Sequence, residues 1–321
     1  MSKQSKIQNP QSAILALLLL PGIGPAAVHR ALAASAAIRT PLTEMLGTDP
    51  RALADTLPPG LQDIASLAAR CTQTVLIQAR DILAGLTARG ADAITATDPG
   101  WPATLAGLGA AMPPILFIKG RRDMLAIPAA AVVGARDPSN TGARIARDCS
   151  AFFAAQHIPV VSGGARGVDT CAHLAAINAG GETIVVLPQG LLTYDAPAPI
   201  ARAVDAGRAL ILSQFLPHSP WETHAAVTRN ATISSLARIV CVVDPRKTGG
   251  SIRTARVAIG LRKPVAAWCS TLQVRRLLET AGAGELAGHD GKLRREYLQK
   301  LWSQNVPEAL VQTDLLHDVN L

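Results

Sequence analysis

Aromatic residues make up only 3% of this 321-residue chain: four Phe, four Trp and two Tyr. So few rings cannot carry a ligand mainly by stacking, so any binding of bases must lean on charge. Charged residues are sparse too, at 17% against 49% hydrophobic, which excludes a disordered or supercharged chain. Cysteine is scarce and unpatterned. Cys71, Cys149, Cys171, Cys241 and Cys269 are an odd number, sit in apolar stretches and contain no CxxC pair. They read as buried thiols of a reducing, cytoplasmic compartment, with no metal site. Long apolar runs are missing as well. The early run over residues 14–20 is far shorter than the roughly 20 residues of a spanning helix, so no membrane contact is expected.

What the chain does have is a modest basic surplus of +8, from 31 Lys+Arg against 23 Asp+Glu. On a folded surface it suggests acidic partners, nucleic acid first. The length fits about two domains. Residues 1–90 are rich in Ala and Leu at helical spacing and predict a small helical domain. Within it, Leu20-Pro21-Gly22-Ile23-Gly24-Pro25 has the pattern of a helix-hairpin-helix turn. Residues 91–128, rich in Pro and Gly, read as a linker and docking segment, and residues 271–321 as a helical tail. Between them, over 129–270, short wholly apolar runs alternate with helical windows. The runs fall at 130–133, 159–162, 183–187, 209–213, 239–243 and 264–267, and the windows near 141–156, 166–179, 229–237 and 251–261. Apolar strands separated by helices imply a parallel sheet covered on both faces, a doubly wound α/β domain.

In such a sheet ligands sit beyond the carboxyl ends of the strands. The first strand runs into Gly134 and Arg136, and the second into Ser162-Gly163-Gly164-Ala165-Arg166-Gly167 and a helix start. Glycines there admit a phosphate to backbone N–H groups, and the helix terminus and arginines add positive charge. Neither GxGxxG after the first strand nor a GxxxxGK[ST] loop is present, so no dinucleotide or other cofactor is expected. Further on, Thr228-Arg229-Asn230 and Lys247-Thr248-Gly249-Gly250-Ser251 each read as a helix opening. From Arg229 to Lys263 there are eight Lys/Arg and a single acid, Asp244, a net +7. That concentration favours a polyanion over a small ligand. Trp221, in a loop eight residues before Arg229, is the leading base-stacking candidate, ahead of Tyr194 and Phe215. Asp169 reads as a cap in the first helical turn, and no catalytic set of Ser, His and Asp emerges, so no enzyme activity is expected.

Several of these motifs, in order over residues 12–268, resemble the DNA-processing protein A family (DprA, also called Smf). Leu20-Pro21-Gly22-Ile23-Gly24 is similar to that family's N-terminal hairpin, and Asp98-Pro99-Gly100-Trp101-Pro102 with Pro113-Pro114-Ile115-Leu116-Phe117-Ile118-Lys119-Gly120 to its inter-domain segment. Val132-Val133-Gly134-Ala135-Arg136 matches a VGSR element with Ala for Ser. The run Ser162 to Asp169, followed by Ala172-His173, matches SGxARGID..AH. Thr183-Ile184-Val185-Val186-Leu187 with Gly190, and Gly249-Gly250-Ser251 with Thr254-Ala255, match two further elements. The resemblance implies a Rossmann-like domain that binds single-stranded DNA without sequence preference, loads a RecA-type recombinase during DNA uptake and recombination, and forms a homodimer. The chain departs from the family where an RNR triplet reads Arg229-Asn230-Ala231, where SE reads Ser213-Gln214, and where VxEA reads Val242-Val243-Asp244-Pro245. The alternatives are a nucleotide-binding sensor or hydrolase on the same fold, or a divergent relative in phage defence.

Overall fold

The computed structural model describes residues 9–303, so the outer ends of the expected helical domain and of the tail lie outside the described residues. The chain divides into two compact units: Met1–Trp101 with Ala110–Phe117, and Pro102–Gly109 with Ile118–Leu321.

The first unit is built on helices α1 (Pro10–Leu19), α2 (Pro25–Ala37), α3 (Leu42–Met45), α4 (Pro50–Thr56), α5 (Asp63–Arg70) and α6 (Gln73–Thr87). Several start where chemistry sets the boundary. Asn9 Oδ1 accepts from Ser12 N at 2.8 Å, and Pro10, Pro25 and Pro50 occupy first-turn positions where a missing N–H costs nothing. Residues 20–24 join α1 to α2, and Gly22 takes φ 77° there. Leu15, Leu17, Met45, Leu53, Ile64 and Leu86 are fully buried inside the unit. Strand β1 (Ala91–Thr95) and the first half of β2 (Ile115–Gly120) also belong to it.

The second unit alternates strand and helix: β3 (Ala129–Gly134), α7 (Asn140–Ala154), β4 (Val160–Gly163), α8 (Val168–Asn178), β5 (Thr183–Leu187), α9 (Ala198–Asp205), β6 (Ala209–Ser213), α10 (Thr223–Leu236), β7 (Ala237–Val243), α11 (Gly250–Gly260), β8 (Val265–Trp268), α12 (Leu272–Thr280), β9 (Gly284–Glu285) and α13 (Arg295–Ser303). From β6 onward across the sheet, the strand order is β6-β5-β4-β3-β7-β8-β9, with parallel register at every step. The chain thus winds outward from β3 in one direction through β4, β5 and β6, then returns to β3's other side for β7, β8 and β9. Helices α7, α8 and α9 pack on one another, as do α10 and α11. This is the doubly wound sheet that the apolar runs predicted, and it is Rossmann-like as the family resemblance implied. Strands β3 to β7 are almost wholly buried, as a sheet covered on both faces requires.

Two departures from the sequence reading matter for the site. Helix α10 does not open at Thr228 but at Thr223. Thr228 is no cap: its Oγ1 bonds back to His224 O at 3.1 Å, a mid-helix use of a residue that also reads as an N-cap. Arg229 therefore projects from inside a helix rather than from a loop. Beyond residue 270 the chain is not helix alone, because β9 pairs with β8 through Ala266↔Gly284 and Ala267↔Glu285.

Candidate functional site

Gly134 and Gly167 are set by close approach of the backbone. A Cβ on Gly134 would lie 2.0 Å from Val243 O, and one on Gly167 2.4 Å from Ala135 O and 2.5 Å from Arg136 O. Gly167 also takes φ 84°, a conformation other residues rarely adopt, as it caps α8. Val168 N then donates to Ala135 O at 3.0 Å, clamping the start of α8 against the turn after β3. This crossing fixes Arg136 at the rim, where its guanidinium lies 5.6 Å from the ring centre of Trp221.

Arg136, Gly164, Arg166, Trp221 and Arg229 line one cleft of about 300 Å³, together with Ala165, Leu187, Pro188, Gln189 and Tyr194. Arg136, Arg166 and Trp221 are exposed at its edge; Trp221 is 47% exposed, so it is not a buried loop anchor. Arg229 lies at the floor and is only 5% exposed. Its guanidinium occupies the space over Gly163 where a Cβ would sit, at 1.5 Å from Nη1. Nη1 is 4.0 Å from Asp169 Oδ2, yet neither Nη1 nor Nε has a hydrogen-bond partner among the described residues. Unpaired buried donors are rare in native proteins and call for an explanation.

Burial governs the charges here. It pushes the Asp169 carboxyl up to about 6, against the pull of Arg229, and lowers Arg229 from its usual value. Beneath the loop, His173 Nε2 meets Gly163 O at 2.9 Å and Nδ1 meets Thr183 Oγ1 at 2.7 Å. Burial depresses its pKa to about 4, so the ring is neutral and serves as a brace for the loop. Burial, and then Asp195, raise the Tyr194 phenol, which keeps it protonated and able to donate.

The other predicted residues lie elsewhere or point inward. Ser162 Oγ donates to Val132 O at 2.6 Å, inside the sheet. Asn230 Nδ2 donates to Gly250 O at 3.2 Å, and Ser251 is buried in the first turn of α11. Gly249 caps that helix, and Lys247 is exposed in the turn before it. None of Asn230, Lys247, Gly249, Gly250 and Ser251 lines the cleft. Asp244, with φ 50°, closes the crevice between β3 and β7 by accepting from Ser139 N at 2.8 Å, Ser139 Oγ at 2.7 Å and Ser270 N at 3.2 Å. Burial pushes its carboxyl up, but those hydrogen bonds outweigh it and hold the pKa below the usual value. Leu187, Pro188 and Gln189 are lining residues that the sequence reading missed. Leu187 ends β5 and the other two follow it, and the strand-end rule applied to this third strand would have found them. Among the described residues no group of three or more His, Cys, Asp or Glu is placed to hold a metal, and no helix is long and apolar enough to cross a membrane.

A family model for DNA recombination-mediator protein A matches residues 92–288. The chain is 36% identical over 150 residues to the DNA processing protein DprA of Streptococcus pneumoniae, covering 46% of this chain and 52% of that protein. It spans about half the length of the first curated relatives it matches. The X-ray structure of the S. pneumoniae DprA superposes with a TM-score of 0.67 at 23% identity, over 88% of this chain and 97% of that one. DNA processing protein A of Helicobacter pylori, whose structure concerns a single-stranded DNA binding mode, superposes with a TM-score of 0.55 at 23% identity, over 65% and 96%. These two likenesses establish the fold.

Proposed function

This chain belongs to the DNA recombination-mediator protein A family, and from that premise we propose that it binds single-stranded DNA without sequence preference and serves recombination by loading a RecA-type recombinase onto the strand. The observation that supports this reading best is the floor of the cleft. Arg229 lines it as an almost buried cation, with Arg136 and Arg166 at the rim, so the site is arranged to receive an anion. The apolar side formed by Leu187 and Pro188, with Trp221 beside it, suits a sugar and base on the same nucleotide. A recessed site of this kind accepts a flexible strand and excludes a stiff duplex. The protein acts in the cytoplasm as a homodimer and as a binder rather than an enzyme. Asp169, buried 4.0 Å from Arg229, is not among the residues that line the cleft.

A titration with a labelled single strand, a blunt duplex of the same sequence and a scrambled strand tests this. The single strands bind alike and tighter than the duplex at matched salt, and no cleavage or nucleotide hydrolysis accompanies binding. Equal affinity for blunt duplex overturns the strand assignment. Turnover that disappears in Asp169→Asn overturns the non-enzymatic one.

A further inference from the structure

The size and floor of the cleft narrow the ligand further, on the basis of the strand-binding reading above. We propose that the cleft takes a phosphate monoester, the group that ends a nucleic-acid strand or completes a nucleoside monophosphate, rather than a phosphodiester from a strand's interior.

Three observations carry this. The first is depth. Arg229 lines the cleft yet is only 5% exposed, so only a group that reaches the floor can meet its guanidinium. A monoester ends there and needs one way out. An interior phosphodiester continues as chain on both sides and must leave twice. The second is room. A cleft of about 300 Å³ sits at the lower end of the roughly 300–1,000 Å³ of small-ligand sites, enough for one nucleotide but not for a phosphate flanked by two. The third is charge. Arg136, Arg166 and Arg229 line the cleft, and Asp169 lies 4.0 Å from Arg229. A surplus near two positive charges matches a monoester, which carries about −1.5 to −2 at pH 7, better than the single charge of a diester. The start of α8, beyond Gly164 and Ala165, adds its partial positive charge from the same side.

The test uses the wild-type protein, so it does not depend on a variant's folding. One oligonucleotide, labelled at an internal position, is prepared with a 5′-phosphate, with a 3′-phosphate, and with hydroxyls at both ends. Fluorescence anisotropy at matched ionic strength compares the three, and a deoxynucleoside monophosphate and the bare deoxynucleoside serve as competitors. The expected result is at least tenfold tighter binding of one phosphorylated end, with competition by the monophosphate but not the nucleoside. Gly163→Ala, which pushes the Arg229 guanidinium aside, should erase the difference. Competition by the monophosphate without any end preference assigns the site to free nucleotide instead of a strand end. Equal binding of all three strands with no competition overturns the monoester and leaves strand binding standing. Binding of the monophosphate alone overturns strand binding and leaves the monoester standing, and no binding of any probe overturns both.

Discussion

The loop after β4 and the loop after β7 read alike in sequence: glycines, a hydroxyl, nearby basic residues and the start of a helix. The structure treats them in opposite ways. After β7, Asp244 takes hydrogen bonds from both Ser139 and Ser270, and Asn230 donates to Gly250 O. Asp244 and Asn230 are thus paired inside the protein. After β4, Arg229 is packed against Gly163 with two donors unsatisfied, beside a cleft edged by exposed arginines. The strand order reverses between β3 and β7, which is where ligands of doubly wound sheets usually settle. Here that crevice is shut by Asp244, and the open site lies over the ends of β3, β4 and β5. A glycine loop marks a place where backbone can come close. Whether a ligand or the protein's own side chain arrives is decided by what is left unpaired.

The sharpest way to break this comparison is a matched pair of glycine substitutions. A Cβ on Gly163 meets Nη1 of Arg229 at 1.5 Å, whereas one on Gly250 meets Asn230 Nδ2 at 3.1 Å. The atom struck at Gly163 is the far end of a flexible side chain, so Gly163→Ala should fold with the guanidinium displaced. Losing a hydrogen bond between charged groups, about 1.5–3 kcal/mol, amounts to a tenfold or greater loss of affinity for a strand that ends in a phosphate. Gly250→Ala should bind within a factor of about three of wild type, since the donor it crowds already serves the protein. Equal losses in the two variants, measured by anisotropy on folded protein, would place both loops in the interface.

Trp221 comes next. Its ring is 47% exposed and faces Arg136, so it is free to exchange that contact for a base. Trp221→Ala should weaken binding by about 1–3 kcal/mol per stacked base and leave the salt dependence unchanged. An abasic strand should bind the wild type and this variant almost equally. Full-strength binding of a normal strand by the folded variant would leave the backbone contacts as sufficient.

How far the sequence carried these arguments differs between the two loops. Strands β3 to β8 were legible because each holds a short apolar run, and β5 and β6 fall at the expected residues, 183–187 and 209–213. Arg136, Gly164, Arg166 and Trp221 were legible as cleft residues because they follow strands directly or precede a recognisable helix. The placement of Arg229 was not. Thr228 has the chemistry of a cap, and only the completed helix from Thr223 shows that the arginine is buried. The closure of the second loop was equally invisible. It depends on Asp244 reaching Ser139, 105 positions away, and Ser270, which no local pattern encodes. Helix α9 was missed because Pro197 and Pro199 look like a break, although proline is well tolerated in a first turn.

Salt dependence gives a smaller but cleaner comparison of the two loops. If Arg136 and Arg166 each neutralise a phosphate, each Ala substitution should flatten the log–log salt slope on a single strand by roughly 0.7. Both side chains are exposed, so stability should hardly change. Lys247 is also exposed, at the closed loop, and Lys247→Ala should leave the slope as it is. A slope change for Lys247 equal to that for Arg166 would extend the strand's path across the second loop.

The smallest effect expected in the wild type is on stability between pH 6.5 and 4, and it is small because two buried groups of α8 oppose each other. Asp169 is raised from 3.8 to about 6 by burial. Its ionised form is disfavoured in the folded state, so the folded protein binds the proton first, and stability rises as pH falls through 6 toward 4. His173 is lowered from 6.5 to about 4, also by burial. The unfolded chain binds its proton first, so stability is lost over nearly the same window. Each shift spans about two units, on the order of 3 kcal/mol, so the two nearly cancel. Asp244 contributes below that window. Its folded pKa lies under 3.8, and the stability it confers is lost only as pH falls through that lower value. Denaturant melts of the wild type and Asp169→Asn at pH 7 and pH 4.5 separate the opposing terms. The variant keeps the loss due to His173 without the compensating gain, so it should lose about 2 kcal/mol more than the wild type on acidification. If both proteins respond equally to pH, Asp169 is ionised as freely as a surface carboxylate, and the buried pair at the cleft floor is not held as described.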